Sequence, residues 1–244
     1  MKSRYQRSMK RVLEFHAASS LSEMVHEPEH LPDALTNTYY KRYPRFPSVE
    51  LDRSASPKHV VIHRSATIRH YSRSRSISFH ELSQLLASIG ERQNGLVPAR
   101  WYPSAGARYP IETYLVAWRI RGIHSGVYHY DVRGHRLERM GTAIADVQQE
   151  MIVSPYVKDA SAAIIFTSCL SRVVIKYGLR GYSYSLLEAG HIGQTLLISA
   201  SQLGLGTCCV GGFVMPHITS LLDLATTEVP VYVIAVGKRS RAAR

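Results

Sequence analysis

Acidic residues are scarce in this 244-residue chain: 18 Asp and Glu stand against 30 Lys and Arg, a formal net charge of +12. Cysteine is scarcer still. Its three copies cannot build a disulfide framework, Cys208 and Cys209 are adjacent, and no C-x-x-C or Cys/His spacing suits zinc. A reduced, cytoplasmic protein is therefore expected. Long apolar runs are missing too. Val229–Val236 falls far short of a membrane span, and residues 182–203, though long enough, are broken by Glu188, His191 and Gln194, as in a buried core helix. The opening MKSRYQRSMKRVLEFHAASS has no sustained apolar stretch, so no secretory signal peptide is expected. No G-x-G-x-x-G follows a strand and no G-x-x-x-x-G-K-[ST] occurs, which argues against a Rossmann dinucleotide site and a P-loop. The basic residues are scattered and accompany no nucleic-acid motif, so an anionic cofactor or an acidic protein partner explains the charge better than nucleic acid does.

What is present is an ordinary globular mixture, 45% hydrophobic and 20% charged, which excludes wholesale disorder. Residues 1–58 read as an N-terminal extension. Arg7–Ala18 suits one helix, and EPEHLP and YYKRYPRFP suit a chain wrapping over the core or a partner. Residues 59–244 read as the main domain. Its HVVI run is followed by SFHE, Ser78 to Glu81, a capping box ahead of Leu82, Leu85, Leu86 and Ile89 at helical spacing, with Gly90 as the stop. IETYLVAW reads as a strand, VYHYD and HRLERM as a pair around VRG, and Ala143–Met151 as a helix. SAAIIFTS is a buried strand, Tyr182–Leu203 the longest helix with Gly204 ending it, and GTCCVGGF a turn and short strand. HITSLLDL is a short helix, VPVYVIAVG a closing strand and KRSRAAR a basic tail. Strands and helices alternate, so one sheet flanked by helices is expected, α+β or α/β.

Several segments have the chemistry for a phosphorylated cofactor. Arg64, Ser65 and Arg69 supply bidentate donors and a hydroxyl. Ser104, Ala105 and Gly106 let backbone amides approach a ligand, as do Gly211 and Gly212 just past a strand. Lys176-Tyr177 joins a potential base to a potential proton donor, near Arg172 and Arg180. Partial desolvation among cations would push the lysine pKa down toward working pH. Glu188, His191 and Thr195 share a helix face as a polar strip. Each also suits an ordinary turn, surface loop or satisfied core patch. Cys208-Cys209 suits burial rather than redox work.

Taken together, these segments resemble the nitroreductase family of FMN flavoproteins. The order is R-S…R-x-Y, S-x-x-E-L-S-Q-L-L, P-S-A-G-A-R-Y-P-I-E-T-Y, V-Y-H-Y-D, K-Y-G-x-R-G-Y, L-L-E-A-G-H-x-x-Q, L-G-L-G, V-G-G-F and V-x-A-V-G, across roughly residues 59–238. More narrowly they are similar to the azoline dehydrogenases of thiazole/oxazole-modified peptide biosynthesis, which act with a cyclodehydratase. The resemblance implies a nitroreductase-like α+β fold: a central, mostly antiparallel sheet flanked by helices, dimerised through the long core helix. Two FMN sites would lie at the dimer interface, each built from both subunits. By the same resemblance, FMN is held by Arg64, Ser65, Arg69, Ser104, Ala105, Gly106, Gly211 and Gly212, with Lys238 and Arg239 reaching the phosphate. The family spacing R-x-S-x-R, anchored on Arg69, puts Thr67 in the Ser place and leaves Arg64 one position early. Lys176 is the implied base and Tyr177 its partner as the ring loses a proton and a hydride. The implied partners are a second copy of the chain, an azoline-bearing precursor peptide and the cyclodehydratase subunits of a synthetase, with no nucleic acid and no membrane. The alternative is an NAD(P)H-dependent FMN nitroreductase or flavin reductase acting on small molecules; simple nitroreductases lack the Lys-Tyr pair.

Overall fold

β-branched and alanine-rich runs dominate the second half of the chain, and they become the middle of a six-stranded sheet. The structure, a computed structural model, describes residues 2–19, 66–92, 99–141, 152 and 159–240. These lie in one compact unit; a second unit, residues 25–63, lies outside the described residues, as do the expected Ala143–Met151 helix, the HVVI run, Arg64 and Ser65. In chain order the elements are α1 (Lys2–Ala18), β1 (Ile77–Ser78), α2 (Phe79–Ala87), β2 (Glu91–Arg92), β3 (Ala99–Arg100), a 3-10 turn (Ala105–Ala107), β4 (Ile111–Ala117), β5 (Ile120–Arg121), β6 (Gly126–Asp131) and β7 (Arg136–Gly141). There follow β8 (Ala162–Cys169), α3 (Ser171–Tyr177), α4 (Arg180–Gln202), β9 (Leu205–Val210), α5 (Met215–Leu221) and β10 (Glu228–Lys238).

The main sheet runs β7-β6-β4-β8-β10-β9, and every neighbouring pair is antiparallel. Its central strands read as continuous apolar runs because both faces are covered. Alternation then sorts the side chains. Leu115, Ile164, Phe166, Ile234 and Val236 face one core with Leu82 and Leu86 of α2 and Ile192 and Leu196 of α4. Tyr114, Val116, Ile165, Val233 and Ala235 face the other with Ile218 and Leu222 from α5 and its cap. Gly193 lets α4 lie close on the sheet, since a Cβ there would come within 2.9 Å of the Tyr232 ring. The fold is α+β with an antiparallel sheet flanked by helices, as the motif order implies.

The differences from the sequence expectation are local. α1 begins at Lys2 rather than Arg7 and docks Met9 and Val12 against Leu170, Val174, Tyr182 and Val229, with His16 Nδ1 2.7 Å from the Tyr182 hydroxyl. The capping box at Ser78 and Glu81 forms, but α2 closes at Ser88 in ordinary helical geometry; Gly90 instead sits buried against the Tyr130 hydroxyl, where a Cβ would be 3.3 Å away. α4 ends before Gly204, whose φ of +66° only glycine adopts freely. Cys208 is buried and Cys209 is exposed, because alternate residues of edge strand β9 point to opposite faces.

Candidate functional site

One end of the sheet gathers the start of β4, the end of β8 and the start of β10: Ile111 pairs with Ser168, and Cys169 with Glu228. The turn carrying Ser104, Ala105 and Gly106 enters β4 there, and α3 leaves β8 there, carrying Lys176 and Tyr177 in its last turn rather than in a loop. The glycines of K-Y-G-x-R-G-Y explain the local path. Gly178, at φ +59°, ends α3, and Gly181 lets α4 start against the backbone of Val173 and Val174, about 3 Å from where a Cβ would stand. The tips of Lys176 and Tyr177 consequently converge on Gly106. A Cβ at Gly106 would overlap the Tyr177 hydroxyl and come within 2.8 Å of Lys176 Nζ. Lys176 Nζ also lies 5.3 Å from the Tyr177 ring centroid, and Tyr184 packs edge-on against that ring at 5.0 Å.

Contacts without a sequence signal hold this arrangement. Arg172 donates to the Tyr109 carbonyl at 2.8 Å and pairs with Glu112 at 2.5 Å, while Arg108 donates to the Arg172 carbonyl at 2.7 Å, so two guanidiniums clamp the turn onto α3. Glu112 in turn meets His129, whose other ring nitrogen meets Glu138, both at 3.0 Å. An imidazole bridging two carboxylates is a double donor, hence protonated. The bond to Glu112 accordingly raises the His129 pKa, against burial. Burial opposes ionisation of Glu112, but His129 and Arg172 outweigh it and hold that carboxyl below its usual range. Beneath the turn lies Glu188, 2% exposed, with no hydrogen-bond partner in good geometry for either oxygen. Burial pushes its pKa up to about 7, against weaker pulls from Ser104 and Arg100. The expected strip of Glu188, His191 and Thr195 divides: Glu188 turns into the core, His191 is exposed, and the Thr195 hydroxyl caps the His191 carbonyl at 2.9 Å. Lys176 itself is exposed, so the desolvation expected of it is absent within one chain.

The remaining candidates lie elsewhere. Arg69, Lys238 and Arg239 sit at the opposite end of β10: Ile68 donates to the Thr207 carbonyl, Tyr71 bridges to Arg239, and Ser72 donates to the Lys238 carbonyl. An 11-residue strand at about 3.3 Å per residue separates that end from the Lys176 end by roughly 33 Å. Arg239 donates to the Leu205 carbonyl, and Lys238 pairs with the Glu81 of the capping box. Gly211 and Gly212 follow β9 between the two ends, and a Cβ at Gly211 would meet open space. Among the described residues no His, Cys, Asp and Glu group could hold a metal ion, and no helix is long and apolar enough to cross a membrane.

Residues 62–238 match the model of the nitroreductase family. The chain belongs to the nitroreductase family. This nitroreductase-family chain is 30% identical over 186 residues to MJ1384 of Methanocaldococcus jannaschii, which bears a nitroreductase name, covering 73% of the chain and 89% of the relative. It is 25% identical over 160 residues to the microcin B17-processing protein McbC of Escherichia coli, covering 61% of the chain and 57% of McbC. Its fold superposes, at a TM-score of 0.83 and 22% identity over 96% of the chain and 94% of its counterpart, on a chain of the E. coli microcin synthetase McbBCD complex with truncated pro-MccB17 bound. Proteins of this family bind a flavin; a turn without a Cβ beside the Lys-Tyr pair and an open backbone at Gly211 suit its ring system, while Arg69 and Arg239 stand at the far end of β10, beyond the reach of the same group within one chain.

Proposed function

We propose that the chain is an FMN-dependent dehydrogenase that oxidises peptide-borne thiazolines or oxazolines to azoles during maturation of a ribosomal peptide, working in the cytoplasm with cyclodehydratase subunits of a synthetase. The convergence of Lys176 Nζ and Tyr177 Oη on the Gly106 backbone carries the reading, because it sets a base and a hydroxyl side by side at one open end of the sheet. The peptide-processing names of its relatives support the substrate class. Bound FMN supplies the acceptor for the hydride that leaves one ring carbon. Lys176 takes the proton from the neighbouring carbon, and Tyr177 orients the amine. The Arg108–Arg172 clamp keeps the turn against that amine. FMN rather than FAD suits a set of donors for one terminal phosphate, supplied by a second copy of the chain, with Arg69 and Arg239 the first of them, Arg64 and Ser65 expected beside them, and Lys238 paired with Glu81. Ser104, Ala105, Gly106, Gly211 and Gly212 offer backbone to the ring system.

The test is direct. The purified full chain is yellow, and mass spectrometry of the released flavin gives FMN. On a cyclised precursor each ring loses about 2 Da, two hydrogens. Lys176→Ala keeps the colour and slows ring oxidation by on the order of 10²–10⁴-fold, the usual share of a general base. Parent-rate oxidation by that variant overturns the base assignment. A parent protein that oxidises no azoline but reduces nitroaromatics with NAD(P)H restores the small-molecule alternative.

A further inference from the structure

A cationic cleft adjoins the Lys-Tyr pair. α1 lies along α3 and the start of α4, and between them run two adjoining cavities of about 380 and 530 Å³. The first is lined by Arg4, Arg7, Ser8, Arg11, Tyr177, Gly178, Leu179 and Arg180; the second shares Arg4, Ser8, Tyr177 and Gly178 with it and extends to Lys176. The charge is one-sided. Among the described residues neither cavity has an Asp or Glu in its lining, and Arg4, Arg7 and Arg11 form no ion pair. The acid on α1, Glu14, pairs with Lys10, and Arg180 donates to the Tyr184 hydroxyl at 3.1 Å. On a helix, positions 4, 7 and 11 form one stripe. It borders Ser8, and beyond Ser8 lies the face that docks Met9 and Val12, so docking α1 aims the stripe at the cleft.

Guanidiniums gathered along a cleft are a recognition element for carboxylates, which they grip in a two-pronged geometry. We propose that this cleft binds an acidic stretch of the substrate peptide in extended form, holding the chain while one of its rings sits at Lys176. The inference rests on the reading of the chain as a peptide-modifying enzyme. Geometry gives the size of the stretch. Arg4 to Arg11 spans roughly 10 Å along the helix at 1.5 Å per residue. An extended peptide covers that length with about three residues. Its side chains alternate between faces, so carboxylates two apart would meet the stripe together. The favoured sequence is therefore acidic-x-acidic, within a few residues of the ring being oxidised. A polynucleotide also carries negative charge; the cleft, bounded by α1 on one side and by Tyr177, Gly178 and Leu179 on the other, adjoins the Lys-Tyr pair, where the substrate peptide must lie.

Binding is read without catalysis. Fluorescein-labelled Gly-Asp-Gly-Asp-Gly-Asp-Gly and its Asn counterpart are titrated with the full-length protein at low and at physiological salt, with fluorescence anisotropy as the signal. The Asp peptide binds at least ten-fold more tightly than the Asn peptide, and the difference shrinks with salt. Arg4→Gln/Arg7→Gln/Arg11→Gln abolishes the difference, and the corresponding triple Lys variant, which retains the charge, restores a part of it. Equal binding of the two peptides by the parent, or parent-like preference in the Gln variant, overturns the proposal; so does competition by a single-stranded oligonucleotide that binds more tightly than the Asp peptide. A shift of the Gln variant from dimer to monomer overturns it too, in favour of a second copy as occupant. Selective Asp-peptide binding by a protein that oxidises no azoline supports the cleft while refuting the azoline reading, so the two failures are distinguishable.

Discussion

Single side chains set the terms of the site. Glu188 is the clearest case: burial beneath the Ser104 turn pushes its carboxyl pKa from the ordinary value of 4.5 up to about 7. The folded protein then holds a proton that the unfolded chain releases above pH 4.5, so this residue's contribution to stability is fully present below that pH. It declines as the pH rises toward 7 and changes no further above it. At 1.36 kcal/mol per unit the decline is about 3 kcal/mol. Glu188→Gln should remove it: urea unfolding of the parent between pH 5 and 8 loses more stability than that of the variant, and identical slopes would mean that Glu188 is ionised when folded. Gly106 acts through space. Gly106→Ala forces a left-handed φ of +57° on alanine, at a cost of about 1–2 kcal/mol, and drives the new methyl into Tyr177 and Lys176. Both are flexible tips, so they move before the fold does. The expected result is a folded, yellow protein whose ring oxidation falls by about 10²-fold, the scale of loss for groups displaced by an ångström. Activity within two-fold of the parent would show that the tips do not need this turn. The candidate pair and Gly106 were legible as short motifs. Arg108, Glu112 and His129 stand within the quoted motifs and Arg172 was read as a cation near Lys176, but their contacts with one another were not legible, because residues 21 apart, such as Arg108 and His129, leave no periodic trace and only the antiparallel register of β4, β6 and β8 assembles them.

Elements were legible where a period or a cap marked them. The capping box at Ser78 announced α2, the long apolar pattern announced α4, and the apolar runs announced β4, β8 and β10 within a residue or two of their ends. What lacked a pattern was missed: the two-residue strands β1, β2, β3 and β5 are too short to carry a period, and α3 was concealed because seven residues hold under two turns. α1 is the element whose docking has the largest consequence, since it walls the cleft beside Lys176. Its attachment is small. Met9 and Val12 are the buried apolar side chains that anchor it, helped by the His16–Tyr182 bond. Met9→Ala should cost about 2–5 kcal/mol locally. A helix held by so few contacts opens without the sheet. Hydrogen exchange should therefore accelerate across residues 2–18 and leave β8 protected; equal acceleration in β8 would mean that α1 and the sheet unfold as one unit.

At the scale of the whole molecule, the flavin residues pose a geometric problem. Arg69 and Arg239 lie at one end of β10 and Lys176, Tyr177 and Gly106 at the other, roughly 33 Å apart, farther than one FMN reaches. A second copy resolves it if the guanidinium end of one subunit meets the Lys-Tyr end of its partner. The surface is suited to that: Leu186 and Leu187 on α4 are exposed, and Gly190 beside them would place a Cβ in open space, so another chain can approach closely. Apolar side chains grouped on one exposed helix face mark an interface. We therefore propose a homodimer whose two sites are each composite, and the composition has a measurable signature. Co-express one chain carrying Arg69→Ala with another carrying Lys176→Ala, each with its own tag, and purify the mixed dimer. If sites are composite, one site receives both defects and the other receives neither, so about half of the parent's ring oxidation returns although both homodimeric variants are nearly inactive. If each chain builds its own site, both sites carry one defect and the mixed dimer is as inactive as its parents, which would refute the shared architecture whatever the oligomeric state.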